Sequence, residues 1–207
     1  MNLPCRSAPP VGLIPPQVSA DNERMAAVFK FHVQEGYEWV LAERREDRKM
    51  FRSLGADRVA AEWTPVWVVL LREDGGQTFR RSDAPWLSSD APVFREGAKA
   101  VVERAVAGDA EFLPLACKTA NFSLMHVTRI IDALDLDHSE IEWLAPGERI
   151  LRIRRHVFRP DWLRGVAAFK IPQYMNGAVF VSESVVDAVR TANLEGIGFQ
   201  EVWRDTL

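Results

Sequence analysis

The sequence predicts an α+β fold in a single domain, with mostly antiparallel sheet and a few packed helices. Short apolar runs of strand length recur along the 207-residue chain and are separated by turn residues such as Glu73-Asp74-Gly75-Gly76. Only a few segments show helical patterning, in residues 44–52, 90–105 and 182–192. No internal repeat is visible. Strands that are mostly linked by tight turns, with helices between some of them, are typical of an α+β domain.

The domain is expected to span residues 25–207. Residues 1–24 are rich in proline and small residues, which predicts a flexible segment. Residues 27–33 alternate between apolar and polar as a strand does, and 37–41 form a second apolar run after the turn at Glu35-Gly36. The charged residues 44–52 are compatible with a helix that ends at Gly55.

The middle of the chain predicts one strand and the clearest helix. Residues 63–71 indicate a buried strand, which would place Trp63 and Trp67 in the core. Asp90 is a candidate N-cap for the helix, with Pro92 in its first turn and Gly108 past its end. One apolar stripe at helical spacing supports it, formed by Val93, Phe94, Ala98, Val101, Val102 and Ala105.

The second half predicts the rest of the sheet. Residues 111–117 and 122–127 have the pattern of strands, and residues 141–144 and 150–158 flank the hairpin turn Ala145-Pro146-Gly147-Glu148. In the second arm, apolar Leu151, Ile153 and Val157 alternate with polar Arg152, Arg154 and His156, as in a sheet with one wet face. Further strands are expected at 167–171, 178–181 and 197–203, with a helix capped by Ser182 between the last two.

Composition excludes several classes of protein. The formal net charge of −3 gives no bulk electrostatic case for nucleic acid or acidic membranes, and no apolar run approaches the ~20 residues of a membrane span. Cys5 and Cys117 lie far apart and make no metal spacing, which fits two reduced thiols. The proline-interrupted N-terminus does not resemble a secretory signal. We therefore expect a cytoplasmic protein.

No local motif predicts catalysis, a metal or a cofactor. The four histidines, His32, His126, His138 and His156, show no zinc spacing. The acidic stretch 132–140 lacks the glycine and terminal glutamate of a calcium loop, and is better explained as a turn in which aspartate bonds nearby backbone N–H groups. There is no GxSxG, and Gly196-Ile197-Gly198 precedes a strand, which argues against a dinucleotide site.

Two surface features remain as candidates for recognition. Trp86 lies in a polar loop with Asp83 and Asp90, where it is either an interface anchor or a plug at the edge of the core. Arg152 and Arg154 belong to a basic strip on the predicted second hairpin arm. That strip is either a solvated sheet face, a contact for an acidic protein partner or, least favoured, a contact for phosphates.

An ordered set of short motifs resembles one known family, the immunity proteins numbered eleven of bacterial polymorphic toxin systems. The resemblance covers roughly residues 28–207 and is strongest from Ser82 onward. The motifs are Ser82-Asp83-Ala84-Pro85, Ala110-Glu111-Phe112-Leu113-Pro114-Leu115, Val127-Thr128-Arg129-Ile130-Ile131-Asp132-Ala133-Leu134-Asp135, Ala168-Phe169-Lys170-Ile171, Val179-Phe180-Val181-Ser182-Glu183 and Leu194-Glu195-Gly196-Ile197-Gly198-Phe199.

The resemblance implies a cytoplasmic immunity protein that binds a cognate secreted toxin and occludes the toxin's active site. Because members of the family often neighbour nuclease-type toxins, it also implies a nuclease as one candidate toxin. It implies no catalytic residue and no cofactor, and we expect neither a nucleic acid nor a membrane partner. Asp83, Trp86, Asp90, Arg152 and Arg154 are the candidate toxin contacts, with the carboxylates imitating phosphate toward a basic toxin.

Two alternatives stay open at this point. A hydrolase that reverses the toxin's modification would need His126, His156, Asp132 or Asp135 to converge in one cleft. A homo-oligomeric adaptor would need a large self-complementary apolar patch.

Overall fold

The computed structural model describes residues 27–145 and 149–205, and within these ranges it contains thirteen strands and three α-helices. The α+β prediction is confirmed. The predicted flexible segment 1–24 lies outside the described residues, and so do residues 146–148 of the predicted hairpin turn. In chain order the elements are β1 (Ala27–His32), β2 (Trp39–Ala42), α1 (Arg45–Ser53), β3 (Val66–Leu71), β4 (Glu73–Asp74), β5 (Gln77–Thr78), β6 (Val93–Arg95), α2 (Glu96–Ala105), β7 (Ala110–Ala116), β8 (Phe122–Val127), β9 (Glu140–Ala145), β10 (Arg149–Arg155), β11 (Ala168–Phe169), β12 (Phe180–Ser182), α3 (Glu183–Thr191) and β13 (Gly198–Arg204).

A four-stranded antiparallel sheet, in the order β11-β12-β1-β13, lies between two cores. Because strand residues alternate between faces, Phe29 and Phe31 point to one core and Val28 to the other. On the first face the sheet packs against α2 and α3, whose buried residues include Val102 and Val186. On the second face it packs against the β9–β10 hairpin and the irregular segments around it.

A five-stranded sheet, in the order β2-β3-β7-β8-β6, forms the other half of the molecule. Its strand pairs are antiparallel except β3 with β7, which run parallel. One face closes a third core beneath α1, where Phe51 is buried against residues such as Leu113 and Leu124. The other face contributes Phe94 and Met125 to the core that holds α2 and α3. The two helices are therefore packed between the two sheets.

The predicted start of α2 is wrong. Residues 93–95 form strand β6, paired with β8 through Val93 opposite Leu124, and the helix begins only at Glu96. Asp90 is therefore not an N-cap. The apolar stripe is helical from Ala98 onward. β-branched Val93 and aromatic Phe94 instead favour a strand, because a partner strand lies beside them and tertiary pairing overrides local periodicity.

The prediction that Trp67 is buried is also wrong. In β3, Val66 and Val68 are buried, whereas Trp67 and Val69 are 47% and 48% exposed. One face of β3 packs on the core beneath α1, and its other face is open to solvent at this end of the sheet. An apolar run of strand length does not reveal whether one face or both are covered.

The β9–β10 hairpin is present, but its alternation differs from the prediction. The register shifts at three places, between Arg149 and Ile150, between Ile150 and Arg152, and between Ile153 and Arg155. As a result Ile150 and Ile153 are buried, Leu151 is exposed, and His156 turns inward onto the aromatic core. Bulges of this kind change which face a residue takes, and sequence periodicity does not reveal them.

The remaining features are simpler. Cys117 carries a free thiol, whereas Cys5 lies outside the described residues. Among the described residues, no helix has both the length and the apolar character that crossing a membrane requires.

Candidate functional site

A groove of about 480 Å³ lies in the described part of the chain. We call it the groove. We refer to the loop 86–90 as its loop wall, to residues 151–153 of β10 as its hairpin wall, to Arg52 as its rim residue, and to Lys30, His156 and the lining residues within 174–180 as its floor. Its lining residues are Lys30, Arg52, Trp86, Leu87, Ser88, Ser89, Asp90, Leu151, Arg152, Ile153, His156, Tyr174, Asn176, Gly177, Ala178 and Phe180. A second concavity behind Trp86 has only about 20 Å³, space for roughly one water molecule.

The loop wall of the groove is pinned by backbone hydrogen bonds. The Trp86 N–H donates to the Glu38 carbonyl at 3.1 Å, and the Val40 N–H donates to the Trp86 carbonyl at 2.9 Å. Further along, the Val179 N–H donates to the Ser89 carbonyl at 2.9 Å. Trp86 itself is half-buried and packs against the core that holds α2 and α3. It therefore both plugs the edge of the core and presents part of its ring to the groove.

A buried ion pair fixes the start of this loop. Glu38 is 4% exposed, and its carboxylate accepts hydrogen bonds from Arg95 Nη2 at 2.6 Å and from the Ser82 N–H at 3.0 Å. Arg95 Nε donates to the Ser82 carbonyl at 2.7 Å. Arg72 lies at the outer side of the same carboxylate, with Nε 3.5 Å from Oε1. Three separate parts of the chain are thus tied together through one carboxylate.

Asp83 belongs to the hydrogen-bond network that holds the start of this loop, and it does not line the groove. Its Oδ2 accepts from the Glu195 N–H at 3.0 Å, and its Oδ1 accepts from Arg81 at 3.0 Å. The neighbouring Ser82 hydroxyl donates to the Gly196 carbonyl at 3.1 Å. Gly196 has a φ of +73°, and a Cβ there would lie 2.4 Å from the Ser82 Oγ, so only glycine fits.

The floor of the groove rests on an aromatic cluster. The His156 ring stacks on Phe158 with a centroid distance of 5.8 Å and meets the edge of Phe180 at 5.4 Å. Phe169 stacks on Phe180 at 5.3 Å. Burial, with a smaller contribution from the charge of Lys30, lowers the pKa of His156 to about 4. The imidazole is therefore neutral at pH 7.

On the hairpin wall, Arg152 faces the groove while Arg154 lies outside its lining. Both side chains pair with Glu142: Arg152 Nε donates to Oε2 at 2.9 Å, and Arg154 pairs with Oε1. The hydrogen bonds from Arg154 and Arg152 lower the pKa of Glu142. Two guanidinium groups share one carboxylate, so this cluster keeps a net positive charge.

Asp90 lines the groove close to a buried amine. Lys170 is 5% exposed, and its Nζ donates to the Met175 carbonyl at 3.3 Å. Burial lowers the pKa of Lys170, and the negative charge of Asp90 opposes that effect. The positive charge of Lys170 therefore partly offsets the negative charge of Asp90.

The residues that a hydrolase would need have separate partners. His126 Nε2 is 3.0 Å from the Asp57 carbonyl, and His156 lies on the aromatic floor. Asp135 bonds the N–H groups of Asp137 and His138 and the His138 ring, as the predicted turn requires, and Asp132 accepts from Gln173. No hydrogen bond or ion pair links two of the four candidates within the described residues, and no cluster there has the composition of a metal site.

The structure brings together three of the five predicted contacts, Trp86, Asp90 and Arg152, and leaves Asp83 and Arg154 outside the groove lining. Sequence reasoning missed the basic floor residue Lys30 and the basic rim residue Arg52. For Lys30 there was a signal, because the alternation of β1 places it on the face opposite Phe29 and Phe31. For Arg52 there was none, since one arginine in a charged helix does not reveal its neighbours.

One comparison with known proteins gives a match. The model of a family described as the immunity protein family Imm11 matches residues 97–204, just over half of the chain. No curated protein matches the chain. The matched part contains the hairpin wall and residues 174–180 of the groove, whereas Lys30, Arg52 and the loop 86–90 lie before it.

Proposed function

Since the chain belongs to the immunity protein family Imm11, we propose that it neutralises a cognate bacterial toxin by forming a stoichiometric complex in the cytoplasm. In this proposal the chain acts without catalysis. It covers the toxin's active site or the toxin's substrate-binding face and so protects the producing cell.

The observation that carries the proposal is the groove itself. Trp86 and Asp90 come from one loop and Arg152 from a distant hairpin, yet all three line one concave surface. Tryptophan and arginine are the residue types most enriched at interface hot spots. A concave surface that combines them is suited to receive a protruding part of another protein.

The rigidity of the surface supports the same proposal. The loop wall is held at Trp86 and Ser89 by backbone hydrogen bonds, and the aromatic cluster stacks beneath the floor. A surface that is already ordered loses little conformational entropy on association, which favours tight binding. The hydrolase alternative would instead require His126, His156, Asp132 or Asp135 to meet, and each has its own partners elsewhere.

The test is co-expression with the product of the gene next to the one that encodes this chain, the candidate toxin, followed by co-purification and a growth-rescue assay. The double variant Trp86→Ala with Asp90→Ala is expected to lose both the complex and the rescue, because it removes the aromatic ring of Trp86 from the contact surface. The control is Trp162→Ala with Asp161→Ala, which removes the same residue types from an exposed site outside the groove. Thermal unfolding of both variants shows whether the loss at Trp86 is only a loss of folding.

Each alternative has its own signature in this experiment. Rescue without a stable complex would favour the hydrolase. A stable homo-oligomer that rescues only as an oligomer would favour the adaptor. Rescue by the Trp86→Ala and Asp90→Ala variant as good as by the wild-type chain would show that the groove is not the binding surface.

A further inference from the structure

The groove carries an excess of positive charge. Lys30 on the floor and Arg52 on the rim form no ion pair with a carboxylate within the described residues, and Arg152 shares Glu142 with Arg154. His156 is neutral at pH 7 and adds no charge there. At neutral pH the groove is therefore lined by three basic side chains.

Little acidic charge in the groove opposes them. Asp90 is the only carboxylate among its lining residues, and the ammonium of Lys170 lies close enough to interact with it electrostatically. Asp83, the other acidic residue of the same loop, bonds to Arg81 and to the Glu195 N–H and does not line the groove. The loop therefore cannot offer a pair of free carboxylates in imitation of phosphate.

The polar neutral side chains fit the same ligand chemistry. Ser88, Ser89 and Asn176 line the groove and can donate hydrogen bonds to carboxylate oxygens. The volume of about 480 Å³ falls within the roughly 300–1,000 Å³ of clefts that hold small ligands. Arginine in particular binds carboxylates through two parallel hydrogen bonds.

From this charge pattern we propose that the groove receives an acidic segment of the toxin, whose carboxylates face Lys30, Arg52 and Arg152. The proposal rests on the proposed function and specifies its partner surface. It reverses the electrostatic expectation for this region, since the immunity protein supplies the positive charge and the toxin supplies the negative charge. Complementarity of this sign speeds association and makes it sensitive to salt.

The test compares two charge-reversal variants. Arg52→Glu with Arg152→Glu reverses one arginine in the last turn of a helix and one on the hairpin, both in the groove. Arg104→Glu with Arg154→Glu makes the same change in the last turn of α2 and on the same hairpin, outside the groove. Each double variant removes one of the two arginines that pair with Glu142. A difference in toxin affinity between the two variants therefore measures the contribution of the groove. Lys30→Gln is a third variant that keeps a polar chain on the floor.

The first readout is affinity for the neighbouring toxin. We expect the groove pair to weaken binding by at least about 10-fold and the control pair by less than about 2-fold. Wild-type binding that the groove pair leaves unchanged would overturn the acidic-segment proposal and leave the immunity function standing. Failure of the wild-type chain to bind the toxin would instead overturn the proposed function.

The second readout does not depend on the toxin. Fluorescein-labelled decaglutamate is titrated into the wild-type chain and the variants, with equally labelled decathymidylate as a phosphate probe of similar length. The proposal expects decaglutamate to bind, and binding to be lost in the groove pair and reduced in Lys30→Gln. No decaglutamate binding, or tighter binding of decathymidylate at the same residues, would overturn it.

Discussion

Glu38 does not line the groove, but its removal should disturb the groove through the loop wall that it holds in place. Its carboxylate is buried and holds Arg95 and the Ser82 N–H, which together fix the start of the loop wall. We predict that Glu38→Ala destabilises the protein and also weakens toxin binding, because backbone hydrogen bonds hold Trp86 of the loop 86–90 to Glu38 and Val40.

The size of the effect follows from what is left behind. Without Glu38 the Arg95 guanidinium, 13% exposed, loses its carboxylate partner in a poorly solvated site. Breaking a buried pair by removing one partner costs about 3–5 kcal/mol. Arg95 keeps its hydrogen bond to the Ser82 carbonyl at 2.7 Å and its place over the Phe122 ring at 4.9 Å. We therefore expect the lower end, about 3 kcal/mol, which lowers the Tm by roughly 6–12 °C in a chain of this size.

Thermal and urea unfolding measure this effect. The control is Glu43→Ala, since Glu43 is exposed and forms no ion pair within the described residues. A second variant, Glu38→Leu with Arg95→Met, removes both charges and should be more stable than Glu38→Ala alone. A loss of unfolding free energy in Glu38→Ala no larger than that in Glu43→Ala would contradict this prediction. So would a double variant that is no more stable than Glu38→Ala.

Two further predictions concern titration and backbone conformation. The pKa of His156 is about 4 in the folded chain, against an ordinary value of 6.5, so the unfolded chain binds a proton that the folded chain excludes. The free energy of unfolding should therefore fall by roughly 3 kcal/mol as the pH drops from about 7 to below 4. When urea unfolding is measured against pH, His156→Phe should remove this pH dependence, whereas the control His32→Gln, at an exposed position, should retain it. An equal dependence on pH in all three chains would contradict the prediction. Gly196→Ala should lower the free energy of unfolding by about 1–3 kcal/mol more than Gly75→Ala does. Both glycines have positive φ, but of the two only Gly196 would place its new Cβ against a neighbour, the Ser82 Oγ. Equal losses in the two variants would show that the close contact relaxes freely.

Much of the fold could be predicted from local pattern. The strand at β1, the buried strands β7 and β8 and the helix α3 follow from period-two and period-3.6 spacing, and each lies close to its predicted position. The errors arose where tertiary pairing decides the outcome. Val93 and Phe94 became a strand because β8 lies beside them, which no local window contains.

The groove could be predicted only in part for the same reason. Trp86 and Arg152 were identified because each stands out in its own segment. That both line the groove depends on how Glu38 holds the start of the loop wall and on the bulged register of the hairpin that carries Arg152. Lys30 could have been assigned to the face of β1 opposite Phe29 and Phe31, but nothing in the sequence indicates that this face borders a groove at Lys30.

The most direct test of the proposed function is the mass of any complex formed with the candidate toxin from the neighbouring gene, measured by size-exclusion chromatography with light scattering. We expect a stable species that contains the two chains in equal numbers, and we expect its formation to abolish the toxin's activity in vitro. Toxin activity that persists in the presence of excess immunity protein, or that is lost only after turnover and without any complex, would contradict it.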